Sequence, residues 1–163
     1  MSDDPATAGH DGSADPEPRR DRTIWDPGLE RLDEAEGLRL ISAGGVGRLA
    51  YTSQLGPAVI PVSYKLSDGD IVFRTQLDSP TDEDLRTGIQ GADYKVSFEV
   101  DHFDEGTEEG WFVFIQGPAH HVDSDDDRAS AWSPGVHTPA ERAREHFVRI
   151  TPTFVTGRRL RRH

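Results

Sequence analysis

The chain has no cysteine, which excludes disulfides, thiolate nucleophiles and any zinc or iron–sulfur centre held by sulfur. It has no apolar run approaching the roughly 20 residues that a membrane-spanning helix needs. The first residues carry neither a basic start nor an apolar segment, so no secretory signal is expected and the expected location is cytoplasmic. Lysine is nearly absent, with Lys65 and Lys95 the only two, and the remaining cations are arginines. Net positive charge is missing as well: 18 basic residues face 30 acidic ones, a formal charge of -12. Such a surface is not drawn to nucleic acid or anionic membrane, so neither is expected as a partner. An anionic ligand has to be held by locally focused positive charge.

Apolar residues make up 34% of the chain, and the first twenty-odd positions carry almost no large apolar side chain. Residues 1–24 are rich in Asp, Pro, Gly, Ala and Ser, a composition that cannot bury enough apolar area to offset the entropy of ordering. They are expected to form a disordered acidic tail before a single domain over 25–163, with Trp25 its first anchor. Asp33-Glu34-Ala35-Glu36 has the form of a capping box, in which Asp33 accepts from first-turn amides and Glu36 reaches back. Ala35, Leu38 and Ile41 share one face, and Gly44-Gly45 provides a stop, which predicts a helix over 33–43.

Strands dominate the chain beyond this helix. The β-prone runs are 46–51, 57–66, 71–75, 95–101, 111–116 and 147–155. Pro61 cannot donate to a ladder, so its strand is expected at an edge or bulged there. Ser67-Asp68-Gly69-Asp70 is a turn joining two strands into a hairpin. Ser79 and Pro80 open a short helix over 80–89, and Thr138 caps another over 139–146. Along 95–101 the apolar Val96, Phe98 and Val100 alternate with Lys95, Ser97, Glu99 and Asp101. The run 111–116 is apolar on both faces and is expected to be buried on both. Residues 102–110 form an acidic loop, and 123–127 an acidic turn. About six antiparallel strands with few helices make a mainly β chain with minor α, a small barrel or a sandwich. Closure would remove the exposed edges.

Chemistry concentrates at Asp70-Ile71-Val72-Phe73-Arg74-Thr75. A strand ends in a guanidinium and a hydroxyl, and a loop with Ser79 and Thr81 comes next. A planar fork of donors beside a short hydroxyl suits phosphate oxygens, so a phosphorylated cofactor is expected there. Glu99 and Asp101 share a strand face about 7 Å apart, within range for acid–base work, but their expected role is structural, accepting loop amides or facing Arg48. His120 and His121 are adjacent and point to opposite faces of a strand, so they do not chelate one ion together and no metal site is expected. On pattern alone Trp111 and Phe112 read as core. Arg158, Arg159, Arg161 and Arg162 read as a solvated end of the chain.

Seven segments occur in an order that resembles a known family: Val46-Gly47-Arg48-Leu49-Ala50-Tyr51, Pro57-Ala58-Val59-Ile60-Pro61-Val62, Ile71-Val72-Phe73-Arg74-Thr75, Phe98-Glu99-Val100-Asp101, Gly110-Trp111, Gly117-Pro118-Ala119 and Thr156-Gly157-Arg158-Arg159. The ordered set, spanning about residues 30–160, is similar to the pyridoxamine 5′-phosphate oxidase-like, FMN-binding split-barrel superfamily, in its nitroimidazole-resistance-like branch. The resemblance implies a six-stranded antiparallel split β-barrel of Greek-key connectivity, a homodimer, and FMN at the subunit interface. It places Val59, Ile60, Pro61 and Val62 along the flavin ring, Arg74 and Thr75 at the ribityl phosphate, Ser79 at the start of the phosphate loop, and Trp111 near the ring or the dimer contact.

Three positions depart from the family pattern. The lysine that usually succeeds the loop serine is Pro80. The polar residue that usually succeeds Gly-Trp is Phe112. Thr81-Asp82-Glu83-Asp84 would put carboxylates near the phosphate, with Arg86, or Arg159 of a neighbouring subunit, as the candidate compensating charges. One lost cationic hydrogen bond is worth about 1.5–3 kcal/mol. The reading is therefore a flavin-dependent oxidoreductase acting on a small-molecule substrate, with no catalytic acid or base assigned. Its alternatives are a non-catalytic split-barrel dimer with weakened or lost flavin binding, and a deazaflavin-dependent reductase.

Overall fold

The computed structural model describes residues 29–86, 94–122 and 145–161. The N-terminal tail, Trp25, the acidic turn over 123–127 and residues 139–144 of the expected second helix lie outside them. The chain runs through β1 (Glu30–Leu32), α1 (Glu34–Ile41), β2 (Gly45–Ser53), β3 (Gly56–Ser67), β4 (Asp70–Gln76), α2 (Pro80–Asp84), β5 (Tyr94–Asp104), β6 (Glu109–His121), β7 (Glu145–Ile150) and β8 (Phe154–Leu160).

Six of these strands close a barrel. β2 pairs with β3, β3 with β4, β4 with β7, β7 with β6, β6 with β5, and β5 returns to β2, all antiparallel. The local order β5-β2-β3-β4 is a Greek key. β8 and β1 extend the sheet outward from β6. The barrel is filled by Leu49, Phe73, Phe98, Ile115 and Ile150, each completely buried. Along β5 the predicted alternation holds, with Val96, Phe98 and Val100 buried.

Helix α1 closes one end. Asp33 caps it as expected, accepting from the Glu36 amide at 2.8 Å. Glu36 does not complete the box; its carboxylate instead takes Arg39 and Arg159, at 2.8 and 2.7 Å. The Gly44 amide, at a left-handed φ of 73°, returns to Ile41 O and ends the helix. Helix α2 packs against β2 and β4 at the other end and is shorter than the predicted 80–89.

The run 147–155 is two strands rather than one, and His146 belongs to β7 rather than to a helix. Both corrections have a local cause. β6 offers one edge to two partners in tandem, Ala119–His121 to β7 and Gly110–Gln116 to β8. Between them Pro152 lacks an amide donor, while Thr151 N and Thr153 N donate to Pro118 O and Gln116 O at 3.1 and 2.8 Å. The crossing is so close that a Cβ on Gly117 would sit 2.0 Å from Thr151 O. The expected loop over 102–110 is mostly hairpin strand, with only 105–108 in the turn. On β6, Val113 and Ile115 are fully buried, but Phe112 and Phe114 on the other face are only partly covered.

Candidate ligand site

β3 and β4 begin as a hairpin and then separate. Their pairing covers Tyr64–Ser67 against Asp70–Phe73 and stops there. Residues 57–63 of β3 pair with β2 alone, so among the described strands none takes their other edge. Pro61 lies on that unpaired edge, as its missing amide predicts. One arm of the fork is the free backbone edge carrying Val59, Ile60, Pro61 and Val62. The other is the end of β4 with Arg74 and Thr75, and then Ser79. Seven of the eight sequence-predicted cofactor residues thus lie on the two arms of a single split.

The arms differ in character. On β3, Ile60 and Val62 pack toward the core, while Val59 is 64% exposed and Pro61 is also exposed. On β4, side chains alternate: Phe73 and Thr75 turn inward, Arg74 outward to an exposed position. Thr75 and Ser79 share a hydroxyl–hydroxyl hydrogen bond of 3.0 Å. Ser79 also accepts from the Asp82 amide at 3.2 Å, capping α2. Thr81 meets the Tyr51 hydroxyl at 3.2 Å, which fixes α2 to β2.

The acidic loop does not aim all its charge outward. Asp82 is completely buried. Its Oδ2 accepts from the Asp78 amide at 3.2 Å and from Arg86 at 2.8 Å, and its Oδ1 accepts from His121 Nε2 at 2.9 Å. Burial pushes this carboxyl up, but the bonds from Arg86, the Asp78 amide and His121 outweigh it and hold it below the ordinary range. His146 Nδ1 lies 3.5 Å from the same Oδ1 and accepts from Arg86 at 3.2 Å. Sequence reasoning missed this cluster. Its members come from α2, β6 and β7, and no spacing along the chain announces them.

Elsewhere the structure disperses the expected groups. Arg86 is engaged by Asp82 and Arg159 by Glu36, so neither stands idle as a phosphate charge. Arg158 and Arg159 lie within β8 and are partly covered, not in a solvated end. Glu99 and Asp101 both pair with Arg48, Glu99 at 3.0 Å, the structural role expected of them. Burial, then the Asp101 charge, raises the Glu99 carboxyl against the pull of Arg48. Trp111 lies opposite His102 and Arg159 on the neighbouring strands. It lines a groove of about 360 Å³ with His102, Asp104, Arg159 and Arg161. Ten residue steps lie between it and His121, about 30 Å along β6. Within one chain it is remote from Ser79.

Known proteins share this architecture. The profile of the family described as pyridoxamine 5′-phosphate oxidase matches residues 33–159. An uncharacterised protein of Mycobacterium tuberculosis is 31% identical over 129 residues, covering 79% of this chain and 84% of that one. The solved FAD-binding protein of Mycobacterium smegmatis superposes with a TM-score of 0.63 at 27% identity, covering 81% of this chain and 98% of its own. A structure from Bacteroides thetaiotaomicron, described as a candidate 5-nitroimidazole antibiotic resistance protein, gives a TM-score of 0.64 at 10% identity, covering 81% and 89% of the two chains. That last likeness is one of fold.

Proposed function

The chain belongs to the pyridoxamine 5′-phosphate oxidase family, and on that premise we propose that it is a flavin-dependent oxidoreductase working as a homodimer on a small-molecule substrate. The observation that carries the reading is the fork: a backbone edge over 57–63 that no described strand takes on the side away from β2, with the Thr75–Ser79 hydroxyl pair on the other arm. In this reading Val59, Ile60, Pro61 and Val62 lie along the ring, and the alternate peptide groups that point away from β2 bond its polar edge, Pro61 having only a carbonyl to offer. Thr75 and Ser79 donate to the phosphate, and Arg74 supplies the positive charge that an otherwise acidic chain must focus. The inward turn of Asp82 removes one carboxylate from the path of that phosphate. Bound flavin supplies the hydride or electron transfer; the chain's own residues bind, orient and exclude water. FMN is the cofactor we favour, and the similarity to an FAD-binding protein supports a flavin of either length.

The second copy has a specific place. Val46 and Val59 are 63% and 64% exposed on the outer face of β2 and β3, and we assign that face to self-association. Trp111, too far to reach Ser79 within its own chain, joins the ring from the partner copy. Pro80, which brings no charge to the loop, favours a second reading in which flavin is held weakly or replaced by a deazaflavin.

Titration of the purified chain with FMN, FAD and a deazaflavin separates these readings. FMN or FAD is expected to bind, and Arg74→Ala is expected to lose about 1.5–3 kcal/mol, roughly tenfold to more than a hundredfold in affinity. Equal affinity in wild type and variant contradicts the phosphate role. Sedimentation of the same samples is expected to give the mass of two chains; the mass of one contradicts the shared site.

A further inference from the structure

We propose that Asp82, His121 and His146 form a site for one divalent first-row transition-metal ion at the α2 end of the barrel. Asp82 Oδ1, His121 Nε2 and His146 Nδ1 all lie within 4.8 Å of one another. Oδ1 is 2.9 Å from the His121 nitrogen and 3.5 Å from the His146 nitrogen. A tetrahedral ion with ligand bonds near 2.0–2.1 Å needs ligand atoms about 3.3 Å apart, so a few tenths of an ångström suffice at the two contacts to Oδ1, and the two imidazole nitrogens, within 4.8 Å of each other, close by at most about 1.5 Å. Two imidazoles and one carboxylate are ligands that zinc and ferrous iron accept, and they leave coordination open for water or an anion.

Three further features favour an ion over a purely structural clamp. The carboxylate is completely buried while both histidines are only 14% and 20% exposed, so the donors converge in a sheltered place. They stand on three different elements, and the β6–β7 pairing that places His121 opposite Val148 also fixes the His146 strand. Finally, a cation already stands beside the position and shares one of its ligand atoms: the Arg86 guanidinium reaches Asp82 Oδ2 and His146 Nδ1. That contact leaves the lone pair of His146 Nδ1 directed into the cluster. The Arg86 side chain is 46% exposed, so it can withdraw to solvent as the ion enters, and His121 frees Nε2 for the ion by carrying its proton on Nδ1.

The relation to Arg86 makes the proposal sharply testable. The metal-free full chain is titrated with zinc by calorimetry, and thermal unfolding is monitored with and without the ion. One zinc per chain is expected, with an affinity in the micromolar range or tighter and a higher melting temperature. His121→Ala and His146→Ala, at partly exposed positions and confirmed folded by circular dichroism, are each expected to weaken binding at least tenfold. Arg86→Ala is expected to tighten it, because the competing cation is gone. Absence of zinc binding overturns the proposal, as does binding that persists in both histidine variants or weakens without Arg86.

Discussion

Tyr64 shows how one side chain serves two parts of the fold. Its ring meets Phe98 edge-on, with centroids 5.2 Å apart, and its hydroxyl donates to Ile41 O at 3.0 Å, tying α1 to the barrel. Burial pushes the phenol up to about 12. A group whose folded value is raised stabilises fully below its unfolded value, and that stability is lost as pH climbs from about 10 toward 12. Tyr64→Phe keeps the ring contact and removes the hydroxyl. Ile41 O still accepts from the Gly44 amide, so no acceptor is orphaned and the cost at neutral pH is about 1 kcal/mol. Denaturant unfolding at pH 8 and pH 11 is expected to show the gap between wild type and variant shrinking at the higher pH; a constant gap contradicts the assignment. At this scale the sequence was readable where chemistry is local. Asp33 and Ser79 are caps because their short oxygens reach amides three residues on. Asp82 was not readable, because its partners lie 39 and 64 residues away.

Among elements, β2 lies tight against the Phe98 ring of β5 at Gly47. A Cβ there would lie 2.3 Å from the Phe98 ring, which is fully buried and has no room to retreat. Gly47→Ala is therefore expected to destabilise by about 1–3 kcal/mol through overpacking, read as a lower denaturant midpoint with an unchanged slope; a neutral effect contradicts the packing. The strand pattern of β5 and the hairpin turn at 67–70 were legible because alternation and turn residues act over a few positions. The division of 147–155 into β7 and β8 was not. Pro152 lies within a run that reads as one strand, and only the length of β6, offering one edge to both strands, says why the chain resumes in register. β1 escaped notice for a related reason: three residues carry no periodicity, and they are a strand because β8 lies beside them.

At the scale of the whole molecule, six strands close a barrel in which, among the described residues, β3 over 57–63 and the end of β4 do not pair with each other and form a seam. The order of motifs made the architecture legible, and it identified the residues on both arms of that seam. It could not show that Arg74 and Thr75 turn to opposite faces, that Asp82 withdraws its charge inward, or that Trp111 stands far from the hydroxyl pair. Those facts depend on strand twist and on contacts between distant segments. They decide which groups remain at the seam to which we assign the flavin.

Amide hydrogen exchange of the chain with and without saturating FMN tests that placement most directly. Slowed exchange is expected in residues 57–63 and around Ser79, the two arms of the fork, with α1 and β1 unchanged. Protection confined to other segments, or none in the presence of bound flavin, contradicts it.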